Sequence, residues 1–297
     1  MKVIALGFFD GVHLGHKALF TRTCEIAQTL DAQAAAFTFD SHPIDLLAGE
    51  TVPLITDLRA RKQLIRTVGG IDEIIVQAFD ADFAALSWEQ FVELLKNEYG
   101  AAHLVCGYDF RFGSGGVGDV TRLQKKCTEL KLGLDVIAPV KIDDMPVCST
   151  HIRKLLLAGK MEEAQIFLGH PHVLAGEVAP GNKLGRTLGA KTVNLRFGSG
   201  VIVLPKGVYA TKVTLSDGTQ YLAATAIGTR PTVEQAGELT VESHLLDFER
   251  DLYGEEICLS FYHYLRPEQK FESLEILGEQ IQKDITEVRN IFHINQI

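Results

Sequence analysis

The segment KVIALGFFDGVHLGH, residues 2–16, sets the fold of the first half of the chain. Its apolar residues 2–9 predict a buried strand, and residues 15–30 predict a helix with an apolar face. Between them lies a short turn made of glycines, histidines and Asp10. A strand that passes into a helix through such a turn is typical of the first unit of a parallel α/β sheet.

Strands and helices alternate from this segment as far as residue 140. Further strands are expected at 34–39, 71–79, 102–110 and 134–140, and further helices at 57–68, 86–100 and 119–133. The alternation predicts a doubly wound parallel sheet, in which ligands bind at the carboxyl ends of the strands. Polar loops follow three of these strands, at 10–16, 40–43 and 107–113. We therefore expect the functional site among these loops.

The pattern changes after about residue 170, where a glycine-rich segment (176–189) precedes a series of short apolar runs. Strand-like segments are expected at 200–205, 207–215, 221–228, 239–248 and 256–265, and a final helix at 273–291. The Asp217-Gly218 pair between two of the runs is a hairpin signal. These features predict an antiparallel barrel or sandwich. We place the domain limits at 1–168 and 169–297.

Composition narrows the class of protein. Of the 297 residues, 46% are hydrophobic and 23% charged, and the net charge is -9, so nucleic acid or an anionic membrane is not expected as the main partner. No apolar run reaches the roughly 18–20 residues of a membrane span, and the first residues lack the cleavage site of a secretory signal. The five cysteines are odd in number and form no CxxC pair, which favours reduced thiols and a cytoplasmic location. The sequence leaves the oligomeric state open.

The turn at residues 10–16 has the chemistry of an anion site. A helix that begins near His16 directs free N–H groups and a partial positive charge toward a ligand. Gly11 and Gly15 allow close approach of the backbone, and His13 and His16 can donate to phosphate oxygens. The alternative is that both histidines are ordinary polar residues at a helix start.

The segment VCSTHIRKLL, residues 147–156, has the groups of a second anion site, although taken alone it favours a simple helix cap. Ser149 and Thr150 stand at a helix start, and Arg153 follows one turn later, so hydroxyls, free N–H groups and a guanidinium converge. The alternative is a simple helix cap made by Ser149 or Thr150.

Taken in order, the motifs resemble those of a known family. GFFDGVHLGH, FTFDSHP (37–43), GYDFRFG (107–113) and STHIR (149–153) resemble the HxGH nucleotidyltransferase half of the bacterial bifunctional riboflavin kinase/FAD synthetases. GRTLGAKTVN (185–194), VESHLLDF (241–248) and the last helix resemble the flavokinase half. The resemblance implies a Rossmann-like domain followed by an antiparallel flavokinase-like β-barrel with a terminal helix.

For the first half, the resemblance implies FMN adenylyltransferase activity, in which the FMN phosphate attacks the α-phosphorus of ATP and pyrophosphate leaves. It implies His13 and His16 as catalytic residues. It implies an ATP-phosphate site made by Gly7, Phe9, Asp10, Gly11, Gly15, His42, Asp109, Ser149, Thr150 and Arg153. Small molecules (ATP, FMN and riboflavin) are then the partners, and Mg²⁺ is the cofactor.

For the second half, the resemblance implies riboflavin kinase activity. Thr192 and Asn194 are implied to hold Mg²⁺ and the nucleotide phosphates, and Glu242 to act as base toward the ribityl hydroxyl. Taken alone, Glu242 would be a solvated strand residue. Gly185 and Gly189 belong to the implied phosphate-covering loop; their alternative role is turn formation.

One departure from the family pattern bears on activity. The usual PTAN is KTVN here, so Lys191 replaces a proline that shapes the backbone and brings positive charge beside the implied Mg²⁺ site. Our hypothesis is that this variant weakens or removes the kinase while adenylyl transfer is kept. The alternatives are a monofunctional FAD synthetase with a non-catalytic flavin- or nucleotide-binding barrel, and a catalytically inactive flavin-binding regulatory protein. An HxGH enzyme of another kind would leave the second half unexplained.

Overall fold

The computed structural model describes residues 1–47, 49, 51–179, 192–198, 200–229 and 239–294. Contacts divide the chain into two compact units, the first made of Met1–Leu54 and Arg61–Ser149, the second of Ile55–Ala60 and Thr150–Ile297. The domain limits predicted at 168 and 169 stay a prediction. Gly185, Gly189 and Lys191 lie outside the described residues.

The first unit contains the predicted parallel sheet. Its strands are β1 (Lys2–Leu6), β2 (Gln33–Phe39), β3 (Glu73–Gln77), β4 (Ala101–Gly107) and β5 (Gly133–Ile137). They lie in the order β3-β2-β1-β4-β5, and all their pairings are parallel. Val3, Ile4, Ala5 and Leu6 of the central strand are at most 1% exposed, which is why this segment is almost continuously apolar.

Helices connect these strands, as the doubly wound pattern requires. They are α1 (Leu14–Thr29), α2 (Pro43–Leu47), α3 (Leu58–Thr67), α4 (Ala81–Ala84), α5 (Trp88–Asn97) and α6 (Val120–Leu130). The predicted serine cap of α5 is confirmed, because the Ser87 and Gln90 side chains form a reciprocal capping box. A short hairpin of β6 (Lys141–Ile142) and β7 (Met145–Pro146) follows the sheet.

The second unit is a closed antiparallel barrel, which confirms the barrel prediction. Its strands are β8 (His172–Ala179), β9 (Thr192–Phe197), β10 (Gly207–Thr214), β11 (Gln220–Thr229), β12 (Leu239–Leu245) and β13 (Glu256–Pro267). They close in the order β10-β11-β12-β9-β8-β13. Two helices precede the barrel, α7 (Ser149–Leu157) and α8 (Met161–Leu168), and α9 (Leu274–Ile294) follows it. Because the barrel is closed, each of its strands pairs with a neighbour on both sides.

One strand prediction was wrong. Residues 200–205 are apolar but lie outside the named strands of the barrel. Val201, Ile202 and Leu204 are buried in the core of the second unit, so burial in an irregular segment accounts for the apolar run. Conversely, β8 and β9 were not predicted as strands. No helix within the described ranges is long and apolar enough to cross a membrane.

Candidate active site

A cavity of about 380 Å³ opens at the carboxyl ends of β1, β4 and β5. β1 and β4 are neighbours in the sheet although β2 and β3 come between them in the chain, so the cavity lies at the topological switch point. Seven of the predicted site residues line it: Gly7, Phe9, His13, Gly15, His16, Asp109 and Ser149. The structure therefore brings together the predicted loops at 10–16 and 107–113.

The turn before α1 has an unusual backbone. Phe9, Gly11 and Val12 have φ angles of 61°, 76° and 44°, in the left-handed region that L side chains seldom adopt. Asp10 and Gly11 are buried within the turn and do not line the cavity. The strain is compatible with a functional site, where such conformations cluster. After this turn, His13 has an extended backbone conformation and caps the start of α1.

His13 and His16 form one structural unit at the start of α1. The Nδ1 atom of His13 accepts a hydrogen bond from the His16 backbone N–H at 3.3 Å. The two rings stack with centroids 3.6 Å apart and planes inclined by 15°. A Cβ at Gly15 would lie 3.1 Å from the His13 ring, so a larger residue there would push the ring away. Glycine at position 15 therefore leaves the His13 ring undisturbed, whereas a side chain there would require the ring to shift by a few tenths of an ångström.

The His16 imidazole is held neutral. Burial lowers the pKa of His16 well below its usual value, and the neighbouring His13 and the cationic Arg61 lower it further. Its Nδ1 atom is buried and has no hydrogen-bond partner among the described residues. A neutral imidazole carries one N–H that can donate to an anion. His16 therefore retains donor capacity at neutral pH without holding a full charge.

Ser149 connects the HxGH turn to the start of α7. Its hydroxyl donates a hydrogen bond to the backbone carbonyl of Asp10 at 3.1 Å, and both residues belong to the first unit. The exposed thiol of Cys148 also lines the cavity. Thr150 and Arg153, predicted in the same motif, belong to the second unit and do not line the cavity. Their roles stay predictions.

His42 lies in the loop after β2 and does not line the cavity. Its Nδ1 atom accepts a hydrogen bond from the Ile44 backbone N–H at 3.1 Å. Its ring makes a T-shaped contact with Phe8, with centroids 4.6 Å apart and planes at 71°. These contacts hold the loop that carries His42 next to Phe8, the residue that precedes the left-handed turn.

Sequence reasoning missed several residues of this site. The other wall of the cavity comes from the end of β5, through Ile137, Ala138, Pro139 and Val140, and from Tyr108 beside Asp109. The polar loop after β4 was recognised, but the apolar IAPV segment carried no chemical signal. Arg61, which influences the charge of His16, was missed because it reads only as a basic residue of a helix.

The predicted kinase residues lie together on two paired strands of the barrel. Glu242 of β12 stands opposite Asn194 of β9, and His244 stands opposite Thr192. Residues directly opposite in an antiparallel pair share a face of the sheet, as do alternate residues of one strand. Thr192, Asn194 and Glu242 therefore share one face, while the intervening Ser243 is fully buried on the other.

The donor set on this face fits Mg²⁺. A hydroxyl, an amide oxygen and a carboxylate are hard oxygen ligands, which Mg²⁺ prefers, and substrate phosphates usually complete its coordination. Within the described part of the chain, no group of three or more His, Cys, Asp or Glu residues has the arrangement of a metal site.

Two family models match the chain, each on one half. The model described as FAD synthetase matches residues 1–151, and the model described as riboflavin kinase matches residues 168–292. The first range holds the cavity with His13 and His16, and the second holds Thr192, Asn194 and Glu242.

Relatives match over nearly the whole length. A bifunctional riboflavin kinase/FMN adenylyltransferase of Listeria monocytogenes is 35% identical over 98% of this chain and 92% of the relative. The protein of the same description from Escherichia coli K12 is 35% identical over 99% of this chain and 94% of the relative. A crystal structure described as a macrolide-efflux protein from Streptococcus pneumoniae has a TM-score of 0.83 and 28% identity, covering 97% of this chain and 94% of that one.

Proposed function

The chain belongs to the bifunctional riboflavin kinase/FMN adenylyltransferase family, and from this membership we propose that it converts riboflavin to FMN and FMN to FAD. Adenylyl transfer is assigned to the first unit and riboflavin phosphorylation to the second. ATP, FMN and riboflavin are the substrates. We do not propose an efflux function from the description of the Streptococcus pneumoniae structure, because the bifunctional enzymes among the relatives match both halves of this chain.

In the first unit, a phosphate oxygen of FMN attacks the α-phosphorus of ATP. A new P–O bond forms, the bond between the α-phosphorus and its bridging oxygen breaks, and pyrophosphate leaves with the electron pair. Negative charge grows on the leaving group, so donors placed near it lower the barrier. We assign this role to His13, His16 and the backbone N–H groups that begin α1.

The remaining predicted residues would shape and close the phosphate site. Gly7, Phe9, Asp10 and Gly11 lie in the segment between β1 and α1, and Gly15 lies in the first turn of α1. Asp109 and Ser149 line the cavity beside them. His42, Thr150 and Arg153 are kept as proposed phosphate ligands on the family resemblance alone. One observation carries the proposal: the paired histidines at a helix start line a cavity at the switch point of the sheet.

In the second unit, Glu242 would accept the proton of the ribityl 5′-hydroxyl as this oxygen attacks the γ-phosphorus of ATP. ADP leaves and FMN forms. Thr192 and Asn194 would hold Mg²⁺, which supplies charge neutralisation to the phosphates when it is bound. The proposal is supported by the register that places Asn194 opposite Glu242. Gly185 and Gly189 are proposed to cover the phosphates.

The test is product analysis by chromatography with ATP and Mg²⁺. With FMN as substrate, we expect FAD and pyrophosphate in equal amounts. With riboflavin as substrate, we expect FMN and ADP, followed by FAD. No FAD from FMN would overturn the adenylyltransferase assignment, whatever the outcome with riboflavin.

A second candidate follows from the KTVN segment. Lys191 replaces proline beside the proposed Mg²⁺ ligands, and a cation there would compete with the metal. FAD from FMN together with no FMN from riboflavin would favour a monofunctional FAD synthetase. A Lys191→Pro substitution would then be expected to restore phosphorylation, whereas it would change little if the kinase is already active.

We propose a cytoplasmic location from the cysteine pattern of the sequence, which favours reduced thiols. All five are free thiols, and burial raises the pKa of Cys106 to about 12, that of Cys127 to about 11 and that of Cys258 to about 12. Thiols with such raised pKa values stay protonated and react slowly.

We also propose 168/169 as the functional boundary, consistent with a riboflavin kinase match that begins at residue 168.

A further inference from the structure

Arg61 is a fully buried cation in the first unit. It is 0% exposed although it lies in α3, among residues whose basic character suggests a solvated helix face. Arginine is seldom buried unless hydrogen bonds satisfy its guanidinium, because removing a charge from water is energetically costly. Its partners therefore indicate what the charge is for.

The guanidinium joins the ends of two neighbouring strands. Its Nη1 atom donates to the carbonyl of Phe8 at 3.1 Å, and its Nη2 atom donates to the carbonyl of Phe39 at 2.6 Å. Phe8 lies two residues beyond β1, and Phe39 is the last residue of β2. The Thr38 hydroxyl also donates to the Phe8 carbonyl, at 2.8 Å. One planar fork thus holds two backbone carbonyls at the carboxyl end of the sheet.

Each of these carbonyls precedes a loop of the proposed phosphate site. Phe8 is followed by Phe9, where the left-handed HxGH turn begins, and Phe39 is three residues before His42. The guanidinium also lies over the Phe8 ring, 4.1 Å from its centroid, and that ring makes a T-shaped contact with His42. Arg61 is therefore connected to both loops through the backbone and through an aromatic contact.

We propose that Arg61 is a positioning residue for adenylyl transfer, fixing the HxGH turn and the His42 loop in one arrangement for the phosphates of ATP. This inference rests on the proposed function of the first unit. Arg61 acts through its neighbours, since it does not line the cavity. The positive charge of Arg61 has a second effect at His16. It lowers the pKa of that imidazole and so disfavours its protonation, and it favours an anionic ligand nearby.

Two substitutions separate position from charge. Arg61→Met removes both donors and the charge at similar length, and we expect kcat/KM for ATP to fall about 100-fold. Arg61→Lys keeps the charge, but an ammonium cannot bridge two carbonyls as a planar fork, so we expect a loss of about tenfold. The acid limb of the pH profile should move to higher pH in Arg61→Met, where His16 loses a cationic neighbour, and stay in place in Arg61→Lys.

The controls distinguish positioning from stability. Arg22→Met removes a guanidinium that pairs with Asp135 and Glu25 and does not line the cavity, so activity should stay within about twofold of wild type. Thr38→Val removes the other side-chain donor to the Phe8 carbonyl and leaves the cation, so its pH profile should not move. Thermal unfolding of every variant shows which chains are folded.

A folded Arg61→Met chain with wild-type kcat/KM for ATP overturns the proposal; if that variant does not fold, a wild-type kcat/KM in Arg61→Lys overturns it equally. A lowered kcat/KM with an unshifted acid limb in Arg61→Met removes the charge component. If the wild-type chain forms no FAD from FMN, the proposed function has failed rather than the role of Arg61.

Discussion

The His13 and His16 rings stack face to face, 3.6 Å between centroids, while the His13 Nδ1 atom accepts the backbone N–H of His16. This arrangement makes the first histidine the cap of α1 and places the second one turn later, beside it. Stacked imidazoles cannot both carry charge at low cost, because like charges at this distance repel. The pair is therefore suited to donating hydrogen bonds to phosphate while at least one ring stays neutral.

His16→Ala should abolish most FAD formation. Removing one donor that stabilises charge in the transition state lowers kcat by about 100-fold or more, and we expect a loss of this size with FMN as substrate. Riboflavin phosphorylation should be unchanged. The matched control is Lys17→Ala, an exposed neighbour that does not line the cavity. Equal FAD synthesis by His16→Ala and wild type would refute the role given to His16.

Gly15→Ala should impair adenylyl transfer without unfolding the chain. The added methyl group would lie 3.1 Å from the His13 ring, so the ring must shift and its cap weakens. We expect kcat/KM for ATP to fall about tenfold, as small misplacements of catalytic groups do. The measurement is steady-state kinetics of pyrophosphate release. Riboflavin phosphorylation by the same variant is the internal control, and a parallel loss there would show general damage instead.

Glu242→Gln should remove the kinase and spare the synthetase. The amide cannot accept the proton of the ribityl hydroxyl, and loss of a general base lowers the rate by about 100-fold or more. FMN formation from riboflavin is measured by chromatography, and FAD formation from FMN should stay at the wild-type rate. Glu177→Gln, an exposed carboxylate on β8, is the matched control. Wild-type phosphorylation by Glu242→Gln would remove this residue from the mechanism.

The second unit should lose stability in acid because of His172. This ring is 2% exposed, and neither of its nitrogens has a hydrogen-bond partner among the described residues. Burial, with a smaller effect of His170, lowers the pKa of His172 to about 3. The unfolded chain binds this proton below its ordinary pKa near 6.5, whereas the folded chain does not. The stabilisation is therefore complete above about pH 6.5 and lost progressively as pH falls toward 3.

The substitution His172→Phe tests this pH dependence. Removing the titrating group should flatten the fall in unfolding free energy, which we expect to be about 1.4 kcal/mol per pH unit from this residue between pH 6 and 4. Urea unfolding of the barrel at several pH values measures it. An unchanged slope in the variant would mean that His172 is not responsible.

Much of the first unit follows from local sequence. The apolar run of β1, the glycines of the turn and the helix period of α1 each lie within a few residues, so the strand, the loop and the site were predictable together. The turn before α1 and the loop after β4 were expected at one site because ligands of such sheets bind at the switch point. The roles of Thr150 and Arg153 in that site stay predictions.

The parts that were missed depend on long-range placement. Arg61 looks like any basic residue of an amphipathic helix, and its role arises only because two distant carbonyls meet its guanidinium. β8 and β9 were missed because their pairing closes a barrel, which short segments do not reveal. The run at 200–205 was assigned to a strand because a buried irregular segment and a buried strand have the same composition.

The proposed function places two sequential active sites on one chain. The most direct test is a time course with riboflavin as the only flavin, in the presence of ATP and Mg²⁺. We predict that FMN rises first and then declines as FAD accumulates, with two ATP consumed for each FAD formed. Absence of FMN formation from riboflavin, or FMN that accumulates without conversion to FAD, would contradict this proposal.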